Sequence, residues 1–335
     1  MKRLTGLAAM AGLILFGLVV AFSGAGDVLA AVAEAGWGAT ALVVLARAIV
    51  ITTAGVAWHF LFPPGQRLAI RICVGLRFVR EGANQLLPVA AIGGDVIGAR
   101  LATFWRVEGS TAAASVGADL AVQAATQLVY ALCGLLLLLL LEGDSDVARY
   151  VAAGLAVATL AIGAFVVLQQ QEGSRLVVGL TRRIAGDREW LGLGALERFY
   201  GQLRQIYASR SGVSASAAIH FATWVFGTVE VWVALHFMGY PVSFAEAFVI
   251  EALGQAVRGA AFAIPGGLGV QEGGFIALCA LFGVPPGPAV ALSLLKRVAD
   301  VGLGLPGLVA WQVLEGRRAF TSPAEDASAV PETAR

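Results

Sequence analysis

A chain of 335 residues that is 58% hydrophobic and only 13% charged cannot dress a water-facing surface, because soluble domains carry about 25% charged residues. Its mean hydropathy of +0.80 belongs to a protein that lives in lipid. The 23 basic and 22 acidic side chains leave a net charge of +1, which excludes the strong overall field that draws nucleic acid.

A helix crossing the hydrocarbon core needs about 20 apolar residues, and Leu4–Phe22 is the first window that qualifies. Lys2 and Arg3 precede it as they would precede a signal peptide, but the spans that follow favour a retained anchor. Gly38–Leu61 is the second span. Gln66–Trp105 is apolar but interrupted by glycine, charge and Pro88, which predicts a broken segment. Ser110–Leu141 and Val147–Leu168 are the third and fourth spans. In the polar loop Gly173–Arg210, Leu196, Phe199, Tyr200, Leu203, Ile206 and Tyr207 recur at helical spacing opposite Glu197, Arg198, Arg204 and Arg210. That pattern predicts an amphipathic helix at the membrane surface. Val213–Phe237, a second broken stretch Phe244–Leu281 around Pro265, and Pro288–Leu314 complete the spans. Residues 315–335 read as a tail, rich in Pro, Ala and acid from about Thr321 and expected to be disordered.

Positive charge marks cytoplasmic loops. Lys2, Arg3, the run Arg67, Arg71, Arg77 and Arg80, the loop Arg175–Arg210, and Arg317 and Arg318 all fall on one side. The opposite loops carry Asp27 and Glu34, or Glu142, Asp144 and Asp146 against Arg149. Both termini are therefore expected in the cytoplasm. Each broken segment then leaves and re-enters on its own side, so the two form re-entrant hairpins from opposite faces. Non-helical backbone at membrane depth needs cover from protein or water, so the hairpins should meet inside the bundle.

The hairpin cores, LLPVAAIGGDVIGARL and AIPGGLGVQEGGFIAL, place an acid at the same distance after the proline, Asp95 after Pro88 and Glu272 after Pro265. The shift that carries Asp95 onto Glu272 also carries Gly38 to the start of the fifth span, Ser110 next to Pro288, and Glu81 onto Arg258. The expected fold is thus an all-α polytopic bundle of about six spans and two opposed hairpins. Residues 1–142 and 147–314 form its two inverted repeats.

Ionisable residues inside spans face the bundle interior. They are Arg47, Glu81, Asp95, Arg100, Asp119, Glu230, Glu251, Arg258, Glu272, Lys296, Arg297 and Asp300, with Asn84, Gln123, Gln127, Gln255 and Gln271 as neutral company. Their near-balance predicts internal pairing around a polar cavity. Asp95 follows Gly93 and Gly94, so it fits an N-cap of the returning helix as well as a functional role. Arg100 suits a lipid phosphate, which a guanidinium grips bidentately. The glycines after Pro265 free backbone N–H groups for an anion, and Glu272 beside them needs a cation such as Arg258 or Lys296. Lys296 and Arg297 lie one turn from Asp300, the spacing of an internal salt bridge. Asp119, Gln123 and Gln127 share one helix face, while His59, His220 and His236 are scattered and read as ordinary histidines.

Several chemistries lack their residues. Cys73, Cys133 and Cys279 are far apart with no CxxC, so neither metal nor disulfide is expected. The string DVIGAR from Asp95 resembles part of the phosphatidyl-alcohol transferase motif, but the next aspartate is Asp119, too far for a two-metal site. No GxxxxGK[ST] loop occurs, and no catalytic residue or cofactor is expected.

The two hairpin motifs, with EALGQAVRG before the second and ALSLLKRVADVGLGLPGLVAWQ after it, resemble the transmembrane, flippase-like domain of lysylphosphatidylglycerol synthases over roughly residues 4–314. Among stand-alone members the chain is most similar to the branch associated with hopanoid biosynthesis. The resemblance implies a multi-pass bacterial inner-membrane protein that moves or handles a lipid, a hopanoid or phospholipid. It offers Pro88, Gly93, Gly94, Asp95, Arg100, Pro265, Gly266, Gly267, Gln271, Glu272 and Gly273 as motif residues. Glu81, Asn84, Asp119, Arg258, Lys296 and Arg297 join them as pathway candidates from the charge reading. Only the short tail 315–335 follows the last span, so the family's aminoacyl transfer is not expected. An embedded head-group enzyme, or a scaffold for lipid-synthesis enzymes as partners, are the alternatives.

Overall fold

Apolar windows of this length have one way to satisfy their backbone in lipid, the helix, and every described segment takes it. The computed structural model describes residues 25–87, 93–143, 146–170, 173, 175, 177, 191–260 and 270–321. The predicted first span, the hairpin tips with Pro88, Pro265, Gly266 and Gly267, and residues 322–335 lie outside the described residues. Among the described residues there are ten α-helices and no strand: α1 (Ala25–His59), α2 (Ile70–Leu86), α3 (Gly93–Ala102), α4 (Gly109–Glu142), α5 (Asp146–Gln169), α6 (Leu191–Ala208), α7 (Arg210–Phe237), α8 (Phe244–Ala260), α9 (Val270–Leu281) and α10 (Pro286–Thr321).

Four of them are long and apolar enough to cross a membrane, within Ala35–His59, Gly109–Glu142, Ala148–Gln169 and Arg210–Phe237. The 10 residues of α3 and 12 of α9 extend only about 15–18 Å at 1.5 Å per residue, short of the roughly 30 Å hydrocarbon core. α10 is 36 residues long and carries Lys296, Arg297 and Asp300 through its middle.

Local signals fix the turns. Ser243 and Glu246 form a reciprocal capping box at the start of α8, each backbone N–H donating to the other's side chain at 2.6 and 3.2 Å. Gly239 and Gly283 take positive φ beyond α7 and α9, and Tyr240 and Val284 donate back to Leu235 and Cys279. This is the glycine stop that releases the last carbonyls of a helix.

The packing of the first four helices recurs in the last four. α1 packs on α2 as α7 packs on α8, α2 on α3 as α8 on α9, and α3 on α4 as α9 on α10. Across the halves α1 lies against α7, α2 against α10, and α8 against α4. The α2–α10 crossing brings backbones together: a Cβ on Gly82 would stand 2.5 Å from the carbonyl oxygen of Gly304. Such approach is how helices associate where lipid removes the hydrophobic drive between them.

Two apolar cores result. One gathers Val231, Leu235, Ile250, Phe275 and Leu292; the other gathers Trp58, Phe62, Leu76, Leu101 and Leu203. The amphipathic helix of the polar loop is α6, whose Tyr200, Leu203 and Ile206 enter the second core while Glu197, Arg198 and Arg204 stay exposed. The tail expectation needs correction at its start, because residues 315–321 continue α10 as helix. Glu315 is fastened to Arg100, and the Arg318 guanidinium lies 4.2 Å from the Phe104 ring centroid, which holds these last turns in place.

Candidate functional site: an ion network between the halves

Arg77, Arg80, Glu81 and Asn84 recur at helical spacing along one face of α2, which puts them side by side. Arg80 is 1% exposed. Its Nη2 lies 2.6 Å from Asp95 on α3 and its Nη1 2.8 Å from Asp119 on α4. The Trp58 ring covers it, with the centroid 4.8 Å from its Cζ. Arg77 reaches Asp119 at 3.0 Å, Glu81 at 2.7 Å and Gln123 at 3.2 Å. Asn84 accepts from the Gly94 backbone N–H at 2.7 Å and donates to Asp95 at 3.2 Å. Asp119 is 0% exposed and takes a third partner from α7, His220 Nε2 at 3.0 Å.

A second cluster centres on Lys296 of α10, also 0% exposed. Its ammonium lies 2.8 Å from Glu230 on α7 and 2.9 Å from Glu251 on α8. Gln255 donates to Glu251 at 2.8 Å. Arg47 of α1 bridges Glu230 at 3.2 Å and Asp300 at 3.4 Å, and Arg258 lies 3.6 Å from Asp300. Arg297 holds Glu272 of α9 at 2.7 Å, with Ser293 donating to the same oxygen at 3.4 Å. Gln85 joins the clusters, donating to Glu81 at 3.5 Å and accepting from Arg258. The acid of each short helix, Asp95 and Glu272, is thus drawn toward one interior.

The two hubs are related. The shift that carries Asp95 onto Glu272 carries Asp119 onto Lys296, and each hub binds a helix of its own half, α2 or α8, with acid and base exchanged. Arg77 on α2 faces Asp119, and Glu251 on α8 faces Lys296. Burying ions is expensive unless each is paired and hydrogen-bonded, and most of these are.

A family model decides the kinship. The description lysylphosphatidylglycerol synthase TM region matches residues 7–307. The chain belongs to that family. Comparisons with curated proteins and with solved structures give no match. As a lysylphosphatidylglycerol synthase TM region with apolar helices, it is a membrane-embedded protein linked to lipid handling.

Within this family member the sequence candidates divide. Glu81, Asn84, Asp95, Asp119, Arg258, Glu272, Lys296 and Arg297 enter the network, and Gly94 lets α3 approach the Arg80 carbonyl. Gly93 opens α3, Gln271 is buried, and Gly273 is exposed. Arg100 stands apart: it is 66% exposed and pairs with Glu315 at 2.7 Å, so it does not reach the interior. That hydrogen bond holds the Glu315 carboxyl below its ordinary range, so the pair's small contribution is present at neutral pH and fades as acid protonates Glu315. Arg100→Ala is expected to change stability by less than about 1 kcal/mol, the range of exposed pairs, in a thermal unfolding comparison.

Other expectations are overturned. Asp95 does not cap its helix: it sits within the first turn of α3 and faces Arg80 and Asn84. Asp300 pairs across helices with Arg47 and Arg258 rather than with Lys296 or Arg297 one turn away, and Glu272 takes Arg297 rather than Arg258 or Lys296. Arg77 and Arg80, counted as cytoplasmic charges, are 4% and 1% exposed, and His220 is buried on Asp119. The spacing of Arg77, Arg80 and Glu81 along one face was the available signal.

Proposed function

We propose that the protein is a flippase-like translocator that moves a lipid, a hopanoid or phospholipid, between the leaflets of a bacterial inner membrane. The observation that carries this reading is the polar network that joins both halves through Gln85, between Glu81 and Arg258, and takes in Asp95 of one short helix, with the Arg297–Glu272 pair of the other beside it. Helices too short to span, packed as hairpins in a recurring four-helix order, fit inverted repeats that enter from opposite faces. The termini lie in the cytoplasm, as the charge bias of the loops argues. A head group enters among partly open polar residues such as Glu81, Arg258 and Glu272 while its tails stay in lipid. The chain acts on the position of its lipid, not on its bonds, and membrane lipids are its partners.

Leaflet exchange of a labelled phospholipid or hopanoid in proteoliposomes tests the proposal. Wild type should exceed empty vesicles. Asp95→Asn and Glu272→Gln should each slow exchange about tenfold or more, since a charge-assisted hydrogen bond contributes roughly 1.5–3 kcal/mol and each 1.36 kcal/mol is tenfold in rate. Equal rates for wild type and empty vesicles, or for wild type and both variants, would overturn it.

A further inference from the structure

The interior network does not balance. Around Lys296, the four cations Arg47, Arg258, Lys296 and Arg297 meet four acids, Glu230, Glu251, Glu272 and Asp300. Around Asp119, the two cations Arg77 and Arg80 meet three acids, Glu81, Asp95 and Asp119. The hairpin segments 88–92 and 261–269 contain no charged residue, so they add nothing to either sum. Among the described residues one negative charge is left in the interior. His220 is placed to cancel it, with its Nε2 3.0 Å from Asp119 Oδ1.

Position adds meaning to the charge. His220 is on α7 and Asp119 on α4, so this contact ties one half of the molecule to the other. The comparable ionic tie, from Arg47 on α1 to Glu230 and Asp300, is complete without a proton. Histidine is the side chain that ordinarily changes charge between about pH 5 and pH 8.

Among the described residues, His220 has no second acid as a partner. From α4 it faces Asp119, which also holds Arg77 and Arg80 of α2. α1 brings the uncharged Trp58 to this core, and α2 the Cys73 thiol. From α6, Tyr200 and Tyr207 belong to that core, the latter bonded to Gln169, while Arg198 and Arg204 are exposed. Glu230 of α7, Glu251 of α8 and Lys296 of α10 are engaged with one another. The cluster is open at Glu81, whose side chain is 24% exposed.

We infer that His220 with Asp119 is a proton-binding site at the joint between the halves, and that the bound proton locks the joint. The proton adds to Nδ1, Nε2–H stays on the Asp119 carboxylate, and the neutral imidazole becomes an imidazolium, so that a pair carrying one negative charge becomes a net-neutral ion pair inside a balanced cluster. Release of that proton loosens the tie and lets the halves move. The coupling to lipid movement rests on the translocation reading above; the proton site does not.

Two measurements separate the two. Potentiometric proton uptake by the detergent-solubilised protein, between about pH 8 and pH 5, should be one proton lower for His220→Gln than for wild type. Equal uptake overturns the site. Should His220→Gln fail to fold, the double variant His59→Gln, His236→Gln leaves His220 as the sole histidine. Its ring 15N signals must then shift from neutral to imidazolium over that range, and constant signals overturn the site. In proteoliposomes with equal pH on both sides, wild-type leaflet exchange should rise with pH, limited to about tenfold per unit for a single proton, and His220→Gln should show no such dependence. A wild-type rate flat in pH, or a variant with the same dependence, overturns the lock while leaving translocation standing. Absence of exchange at every pH refutes translocation and the lock, while the uptake result stands.

Discussion

Arg80→Met is expected to lower stability by roughly 3–5 kcal/mol, the range for removing one partner of a buried ion pair. The methionine keeps the apolar length of the side chain under Trp58 but leaves Asp95 and Asp119 without the guanidinium at 2.6 and 2.8 Å. Thermal unfolding of the detergent-solubilised protein, followed by tryptophan fluorescence, reads the change. Adding Asp95→Asn should recover part of the loss, because the second substitution removes one of the stranded charges. A single variant that melts with wild type would mean that water, not Arg80, balances these carboxylates.

Lys296→Met should be at least as damaging. The ammonium stands between Glu230 and Glu251 at 2.8 and 2.9 Å, and its loss leaves two acids facing each other with only Arg47 on one of them. A cost of roughly 3–5 kcal/mol follows from the same rule, and Lys296→Met with Glu251→Gln should be milder than the single change. Arg297→Met provides the contrast, because its pair with Glu272 is partly exposed, at 16% and 20% of the side chains. If Lys296→Met and Arg297→Met cost the same, burial is not what sets the strength of these pairs.

How far the sequence spoke depended on the range of the interaction. The helices α4, α5, α7 and α10 coincide with apolar windows, and α1 does so beyond Gly36, because a run of hydrophobic residues carries its own instruction in lipid, while residues 25–35 of α1 are helical where a loop was expected. The segments 88–92 and 261–269, where proline and glycine predict the breaks, lie outside the described residues; the end of α2 before the first of them, at extended Leu87, was legible. Pairing was not. Arg80 finds its acids on α3 and α4, and Lys296 finds Glu230 on α7, far along the chain in each case. A local spacing such as Lys296 to Asp300 suggested a bond that cross-helix partners took over. Arg77 and Arg80 show a second reason: an arginine that marks a cytoplasmic loop and one that anchors a buried network look the same until the acids opposite are known.

Helix α5 has a different solvent from its neighbours. It packs mainly on α4 and turns Tyr150, Val157, Leu160, Phe165 and Val167 outward. Its apolar portion Ala148–Gln169 has 22 residues, a length of about 33 Å. Acyl chains are therefore the larger part of its environment, and a bilayer thinner than that length makes it lean, at a fraction of a kcal/mol for each ångström of mismatch. The angle of this outrigger is set by the lipid composition of the cell as much as by the chain that encodes it.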